Sequence, residues 1–135
     1  MVARPSGLPL AKRLSLRDGQ RVWFYAMPDD IADEIDEYAL DLTFVGSPSE
    51  GVDAAHVFVT DQGELAHLLQ DLRGRITSDG HVWVSWRGQG PASATELTED
   101  TIRGIALPLG YVDTKACAVD QTWCGLKLVI RKDLR

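Results

Sequence analysis

The sequence predicts a single three-layer α/β domain with a mainly parallel, six-stranded sheet. Strand-like apolar runs alternate with amphipathic helical runs, which is typical of a parallel sheet covered by helices on both faces. The last two strand-like runs follow one another directly, so the sheet is expected to end in an antiparallel β-hairpin. A chain of 135 residues also fits one hydrophobic core. The expected strand order is 2-1-3-4-6-5, with the sixth strand antiparallel.

The first half of the chain contains three predicted strands and two predicted helices. The apolar run RVWFYAM (21–27) predicts a central strand that ends before Pro28. Asp29 or Asp30 is expected to cap the next helix, and the runs 42–46 and 54–60 predict the second and third strands. The clearest helix spans 61–73, because Asp61 and Glu64 form a capping-box-like pair before an apolar stripe. The stripe consists of Leu65, Leu68, Leu69 and Leu72.

The second half predicts a strand, a helix and the closing hairpin. The residues SDG (78–80) read as a turn before a strand at 81–86, and 87–96 reads as a flexible loop. Thr98 is expected to cap a helix that Pro108 and Gly110 end. The final strands are expected at 111–119 and 123–131. Residues 1–20 form a predicted N-terminal arm that can contain a short helix, and 21–135 form the α/β domain.

The charge distribution excludes some partners. The net charge of −6 argues against nucleic acid, which requires a basic face, and no apolar run is long enough to span a membrane. Residues 22–72 hold twelve acidic residues and no lysine or arginine, whereas residues 1–21 are basic. Either the acidic face is solvated and paired with the basic arm, or it binds a basic partner protein. The N-terminus lacks the apolar core of a signal peptide, so a bacterial-type cytoplasmic protein is expected.

The C-terminal third carries a resemblance to known proteins. The segments GELAHLLQDLRGRITSDGHVWVSW and LPLGYVDTKACAVDQTWCGLKLVIRK resemble the last helix, strand and hairpin of the class I methyltransferase fold. The chain also resembles a widespread family of small bacterial proteins classed as a domain of unknown function. Its matching segments are PLAKRLSLRDGQRV, HVWVSW and LTEDTIRGIALPLGYVDTKACAVDQTWCGLKLVIRKDLR. The resemblance implies a Rossmann-like, degenerate methyltransferase-like fold.

Two positions depart from the family pattern. Arg87-Gly88-Gln89 stands where that pattern has a proline and two lysines, and Cys124 stands where it has a serine. The first departure puts a shared basic site at this position in doubt.

The turn after the first strand lacks a feature that the resemblance implies. Class I methyltransferases have a glycine-rich turn there, which lets the backbone approach the methionine end of the methyl donor. Here the turn contains Met27 and Pro28 and no glycine. Asp29 and Asp30 would repel an anionic group placed at the start of the following helix. We therefore expect no methyl donor at this site.

The end of the second strand lacks a second such feature. The fold would place an acidic residue there to hold the ribose hydroxyls of the methyl donor. The sequence continues instead with GSP (46–48), and no carboxylate occurs before Glu50. No nucleotide-binding glycine motif occurs anywhere in the chain, so no cofactor is expected.

Histidine, cysteine and serine residues give no strong sign of catalysis or metal binding. His56, His67 and His81 are spread over two strands and a helix, so no metal site is expected. Cys117 and Cys124 face each other only if the hairpin turn centres on residues 120–121, and free thiols are expected. Ser85 lacks the glycine-flanked turn of a hydrolase nucleophile and is expected to pack with His81 on the sheet.

One grouping remains as a tentative ligand site. Ligands of doubly wound sheets bind beyond the carboxyl ends of the strands. Eight residues are expected at that edge: Met27, Asp29, Thr60, Asp61, Trp86, Arg87, Asp120 and Trp123. Arg87 and the tryptophans would recognise an anionic or aromatic group, and Asp120 would orient Arg87. The alternative is that the tryptophans cover the sheet edge and the polar residues cap helices.

These observations favour a non-catalytic, Rossmann-like binding or regulatory module. Its partner would be a protein or a small molecule, and a homodimer stays open. The alternative is a methyltransferase-like enzyme with a degenerate site for S-adenosylmethionine. The sequence does not identify a substrate or a ligand for either alternative.

Overall fold

The computed structural model describes residues 8–88 and 97–135, which form one six-stranded sheet. The strands are β1 (Arg21–Tyr25), β2 (Thr43–Phe44), β3 (Val52–Phe58), β4 (Ile76–Arg87), β5 (Tyr111–Ala118) and β6 (Trp123–Ile130). Their order is β2-β1-β3-β4-β6-β5. The first four strands are parallel, and β6 is antiparallel to both β4 and β5. The predicted fold class and strand order are confirmed.

Helices cover both faces of the sheet. They are α1 (Leu10–Arg13), α2 (Asp29–Asp36), α3 (Gln62–Arg73) and α4 (Glu99–Ala106). Short 3-10 segments occur at Pro48–Glu50, Leu107–Leu109 and Lys132–Leu134. Leucines of α3 and Ile102 of α4 pack on one face of the sheet, and α1 and α2 pack on the other. None of the described helices is long and apolar enough to cross a membrane.

Side-chain caps explain where two of the helices begin. Asp61 Oδ1 accepts a hydrogen bond from the backbone N–H of Glu64 at 2.8 Å, as predicted. Thr98 Oγ1 accepts one from the backbone N–H of Thr101 at 3.1 Å. The expected cap of α2 is wrong: the N-cap residue is Pro28, without a side-chain hydrogen bond, and Asp29 lies in the first turn. Pro28 has an extended backbone (φ −60°, ψ 145°) and no side-chain acceptor, so it marks the start of the helix without capping it.

The turn predicted at 78–80 is also wrong, because those residues belong to β4. The strand begins at Ile76, which pairs with Val52, and the register shifts before Ala54 pairs with His81. Gly80 permits this irregularity, since a Cβ at this position would lie 2.5 Å from the backbone oxygen of Asp53. In the sequence alone, a glycine that allows two strands to approach closely cannot be distinguished from a glycine in a turn.

The hairpin register separates the two cysteines. Cys124 pairs with Ala118, and Cys117 pairs with Gly125. Cys124 packs against the α3/α4 side of the core and Cys117 against the α1/α2 side. Both thiols are free, and burial raises the pKa of each. They do not face each other, because the strand pairing centres on Gln121, which places Cys124 opposite Ala118 and not opposite Cys117.

The segment before β1 packs against the distant end of the chain. Leu10 and Leu14 are buried in the α1/α2 layer, so the predicted short helix and its apolar side are present. Trp83 Nε1 donates a hydrogen bond to the backbone oxygen of Leu14 at 2.8 Å. Arg13 Nη1 donates one to the backbone oxygen of Ala118 at 2.8 Å. Residues 1–7 of the predicted arm and 89–96 of the predicted loop lie outside the described residues.

Candidate functional site

The eight residues predicted from the sequence all lie at or beside the carboxyl-end edge of the parallel strands. Met27 and Asp29 follow β1, and Thr60 and Asp61 follow β3. At the other side of this edge, the end of β4 meets the start of β6, where Arg87 pairs with Trp123. The topology therefore brings together residues that are far apart in the sequence.

The indole of Trp123 lies at the centre of this edge. The Arg87 guanidinium lies 5.5 Å from its ring centroid, which is a cation–π arrangement. Phe58 contacts the same indole edge to face, with the ring centroids 4.9 Å apart. Trp123 is half-buried and Arg87 is exposed. A planar or anionic group can approach this pair from solvent.

Trp86 does not share that surface. It is 5% exposed and packs into the core beneath α3 and α4. Successive residues of a strand point to opposite faces, so Trp86 and Arg87 are directed to opposite sides of the sheet. Trp123 packs with the α1/α2 side. The two indoles are neighbours along the edge and are separated by the sheet.

Several predicted polar residues stabilise the backbone at this edge. Asp120 Oδ1 accepts hydrogen bonds from the backbone N–H groups of Thr122 and Trp123, each at 2.8 Å. It therefore shapes the hairpin turn. Asp61 caps α3, and the backbone N–H of Thr60 donates to Glu64 Oε1 at 3.1 Å. These contacts correspond to the capping alternative drawn from the sequence.

The turn after β1 is built without glycine. Ala26 adopts a positive φ of 56°, in the left-handed region that glycine occupies without strain. Half-buried Met27 packs against the α1/α2 cluster. The Tyr25 hydroxyl donates a hydrogen bond to Glu64 Oε2 at 2.9 Å, and this bond raises the tyrosine pKa. Side chains thus lie where a glycine-rich loop would expose backbone N–H groups.

A buried histidine and serine form a second feature of the α1/α2 side. His56 Nε2 lies 2.6 Å from Ser85 Oγ, and both residues are buried. Burial, with a smaller contribution from His81, lowers the His56 pKa to about 3. A general base works best with a pKa near the working pH and must reach its substrate. This pair meets neither condition, so it acts as a satisfied polar contact in the core.

A basic cleft that the sequence did not predict lies at the opposite end of the sheet, between the N-terminal segment and strands β4 and β6. Its polar lining residues are Lys12, Ser15, Arg17, Asp79, His81 and Lys127. The basic residues of the N-terminal segment were recognised in sequence. Nothing in their spacing indicated that they would meet a histidine and a lysine from two later strands.

Among the described residues, no group of three or more His, Cys, Asp and Glu side chains is arranged to hold a metal ion. His56 and His81 lie on neighbouring strands, but each has a separate environment: His56 contacts Ser85, whereas His81 lines the basic cleft.

Comparison with protein families identifies the chain. A family described as "Protein of unknown function (DUF3052)" matches residues 11–132. The chain belongs to this family. The resemblance seen in the C-terminal third is thereby confirmed for nearly the whole sequence, and the description of the family assigns no activity. No curated protein matches the sequence.

Solved structures that resemble this chain include proteins described as methyltransferases. A candidate type 11 methyltransferase of Sulfolobus solfataricus has a TM-score of 0.63 at 15% identity, with 98% of this chain and 95% of that one covered. Aeropyrum pernix fibrillarin with natively bound S-adenosyl-L-methionine has a TM-score of 0.54 at 12% identity, covering 90% and 69%. A TehB-like methyltransferase of Corynebacterium glutamicum has 0.55 at 9%, covering 90% and 85%. The structural similarity shows a methyltransferase-like fold, and at these low identities it shows nothing about activity.

Proposed function

We propose that this member of the family is a non-catalytic, Rossmann-like binding module that uses the methyltransferase fold without its methyl donor. The turn after β1 carries the proposal. Its residues Ala26, Met27 and Pro28 all have side chains, and Pro28 supplies no N–H donor. The first turn of α2 exposes the carboxylates of Asp29 and Asp30. These charges oppose the binding of a carboxylate or phosphate at the helix start.

The surface of the module best suited to binding is the Arg87–Trp123 pair. It combines an exposed cation with a half-buried indole at the edge where doubly wound sheets bind ligands. Trp86 contributes indirectly, because it holds the end of β4 in the core. A ligand with an anionic or aromatic group, or a protein side chain of that kind, fits this pair.

Calorimetric titration with S-adenosylmethionine and S-adenosylhomocysteine tests the absence of a methyl donor. We expect no saturable heat at millimolar ligand. A thermal-shift screen with the same compounds and with nucleotides serves as a second readout, since any ligand of the folded state raises its melting temperature. A micromolar dissociation constant for S-adenosylmethionine would favour the degenerate methyltransferase instead.

Substitution of the edge arginine tests the binding surface. Arg87→Ala removes the exposed cation and leaves the core intact, so the melting temperature should change little. Binding of any ligand or partner found at this edge should be lost. Arg75→Ala is a matched control, because Arg75 is also exposed and lies at the end of α3. If Arg87→Ala binds that ligand as the wild type does, the edge is not the binding surface.

A further inference from the structure

The basic cleft beside α1 collects positive charge in a protein that is acidic as a whole. Lys12 and Arg17 come from the N-terminal segment, and Lys127 comes from β6. Lys115 of β5 pairs with Lys127 in the hairpin register. The chain carries a net charge of −6, so its basic residues could have been dispersed among carboxylates. Their convergence on one cleft requires an explanation.

The described residues supply little compensation for these charges. Lys127 Nζ donates a hydrogen bond to Ser15 Oγ at 3.0 Å, and Lys12 lies 5.9 Å from the ring centroid of Tyr38. No ion pair joins Lys12, Arg17 or Lys127 to a carboxylate within 8–88 and 97–135. Burial and the neighbouring Lys115 and Arg17 lower the pKa of Lys127. The cleft therefore favours an anion electrostatically.

His81 provides an independent sign of a ligand. It is 5% exposed, it lines the cleft, and its Nε2 atom is buried without a hydrogen-bond partner among the described atoms. A buried polar atom without a partner costs free energy, so native structures rarely leave one unsatisfied. Burial lowers the pKa of His81 to about 4, and the nearby backbone of Leu14 opposes this shift. A ligand group that either donates to Nε2 or accepts from it would satisfy this nitrogen.

We propose that this cleft binds a small molecule through a phosphate group. Three cations face one carboxylate, Asp79, in the lining. A phosphate monoester carries about −1.5 to −2 charges at neutral pH, which matches this excess. A phosphate oxygen can accept from His81 Nε2–H, or donate to Nε2 when it carries a proton, whereas an ionised carboxylate can only accept. The remaining oxygens accept from Lys127 and Arg17 in charge-assisted hydrogen bonds.

The dimensions and location of the cleft fit an organic phosphate. Its volume is about 580 Å³, larger than a phosphate ion requires and within the range of small-molecule sites. Leu8, Leu16 and Val129 give it apolar walls for the remainder of the ligand. His81 pairs with Val129, toward the start of β4, whereas the proposed ligand edge lies at the end of β4. The two sites are therefore at opposite ends of the sheet.

Titration of the full chain with phosphate compounds tests this site. The probes are phenyl phosphate and inorganic phosphate, with benzoate as the control that keeps the ring and replaces the phosphate by a carboxylate. We expect saturable binding of phenyl phosphate by calorimetry and a shift of the His81 ring nitrogens in ¹⁵N-edited NMR. Equal affinities for phenyl phosphate and inorganic phosphate would show recognition of the phosphate alone, and tighter binding of phenyl phosphate would show a role for the apolar walls. Both results support the proposal.

Substitution of a cation and of the carboxylate in the cleft should change the affinity for phenyl phosphate in opposite directions. Lys127→Met keeps the aliphatic stem, removes the charge and should weaken phenyl phosphate binding by about tenfold or more. Asp79→Asn removes the opposing carboxylate and should strengthen it. Lys132→Met, at an exposed cation in the C-terminal 3-10 segment, should leave the affinity unchanged. The melting temperature of each variant shows that it is folded.

Three results would overturn the proposal. One is the absence of saturation by either phosphate probe while the His81 resonances stay fixed. Another is an equal loss of affinity in Lys127→Met and Lys132→Met, which would indicate a general charge effect. The third is binding of an oligonucleotide or an anionic vesicle without binding of phenyl phosphate, which would assign the cleft to a polyanion.

Discussion

His56 Nε2 and Ser85 Oγ lie 2.6 Å apart on neighbouring strands, beside several aromatic rings of the α1/α2 layer. The imidazole is stacked on Phe58, with the ring centroids 4.5 Å apart, and lies edge to face with Phe24 at 6.5 Å. The hydroxyl is the described partner that satisfies Nε2 of this buried ring. The pair thus permits a polar residue inside the core and fixes the ring orientation.

Ser85→Ala should destabilise the protein by about 1–3 kcal/mol, because it leaves His56 Nε2 buried without a hydrogen bond. Chemical denaturation measures the free energy of unfolding. The matched control is Ser78→Ala, at an exposed serine of the same strand, which should change stability by less than about 0.5 kcal/mol. Equal effects of the two substitutions would mean that the His56–Ser85 contact contributes nothing.

Stability should decrease as the pH falls below about 6.5. Burial lowers the pKa of His56 to about 3 and that of His81 to about 4, whereas both residues titrate near 6.5 in the unfolded chain. The unfolded state therefore binds more protons between these values, and the stabilisation present above pH 6.5 is lost toward pH 4. Each histidine contributes at most about 1.4 kcal/mol per pH unit to the slope of the free energy of unfolding against pH.

Denaturant unfolding between pH 7 and pH 4.5 measures this slope. The double variant His56→Leu/Ser85→Ala removes one of the two buried histidines with its partner, and it should show a smaller pH dependence than the wild type. An unchanged slope in that variant would assign the acid sensitivity to other groups.

Leu69→Ala should lower the free energy of unfolding by about 2–5 kcal/mol, since Leu69 is a fully buried residue of α3. Leu68→Ala should cost less, because Leu68 is only half-buried at the margin of the same cluster. The sequence pattern predicted one apolar stripe that contains both leucines, whereas in the structure only Leu69 is fully buried. Thermal or chemical denaturation of the two variants distinguishes them. Equal costs would indicate that α3 is rotated relative to this description.

Gly125→Ala should destabilise the protein by about 1–3 kcal/mol through overpacking. A Cβ at this position would lie 3.1 Å from Trp83 Cε3 and 3.1 Å from Val119 Cγ2. Gly125 is thus the point at which the Trp83 indole lies close against β6. Gly104→Ala is the control, because its Cβ would meet open space and alanine favours the helix. A neutral Gly125→Ala would mean that the indole can move aside.

The strand order could be predicted because chain order, right-handed crossovers and a short final hairpin leave few arrangements. The limits of β4 could not, because Ser78, Asp79 and Gly80 have the composition of a turn. Their place in a strand depends on the register shift beside β3, which is a tertiary contact. The short β2 has a similar origin: only Thr43 and Phe44 pair with β1, so the apolar run 42–46 overstated the strand.

The proposed edge was only partly predictable. Topology correctly brought Arg87 next to Trp123, since β6 returns along β4. Strand alternation places Trp86 and Arg87 on opposite faces, so the grouping of both at one surface was wrong. The basic cleft had no local signal. Ser15 and Lys127 are separated by 112 positions in the sequence, and their contact depends on how the N-terminal segment lies across the sheet.

The packing of α1 against later parts of the chain affects the order in which the protein can fold during translation. The leucines of α1 emerge before Trp83, Ala118 and Lys127, yet the segment from Arg13 to Ser15 makes hydrogen bonds with all three. At about 5–20 residues per second, the nascent chain carries Leu10 and Leu14 uncovered for several seconds or more. This helix therefore completes its contacts only after residues much further along the chain have been made. A chaperone that captures exposed leucines during translation would meet this segment before its own sheet does.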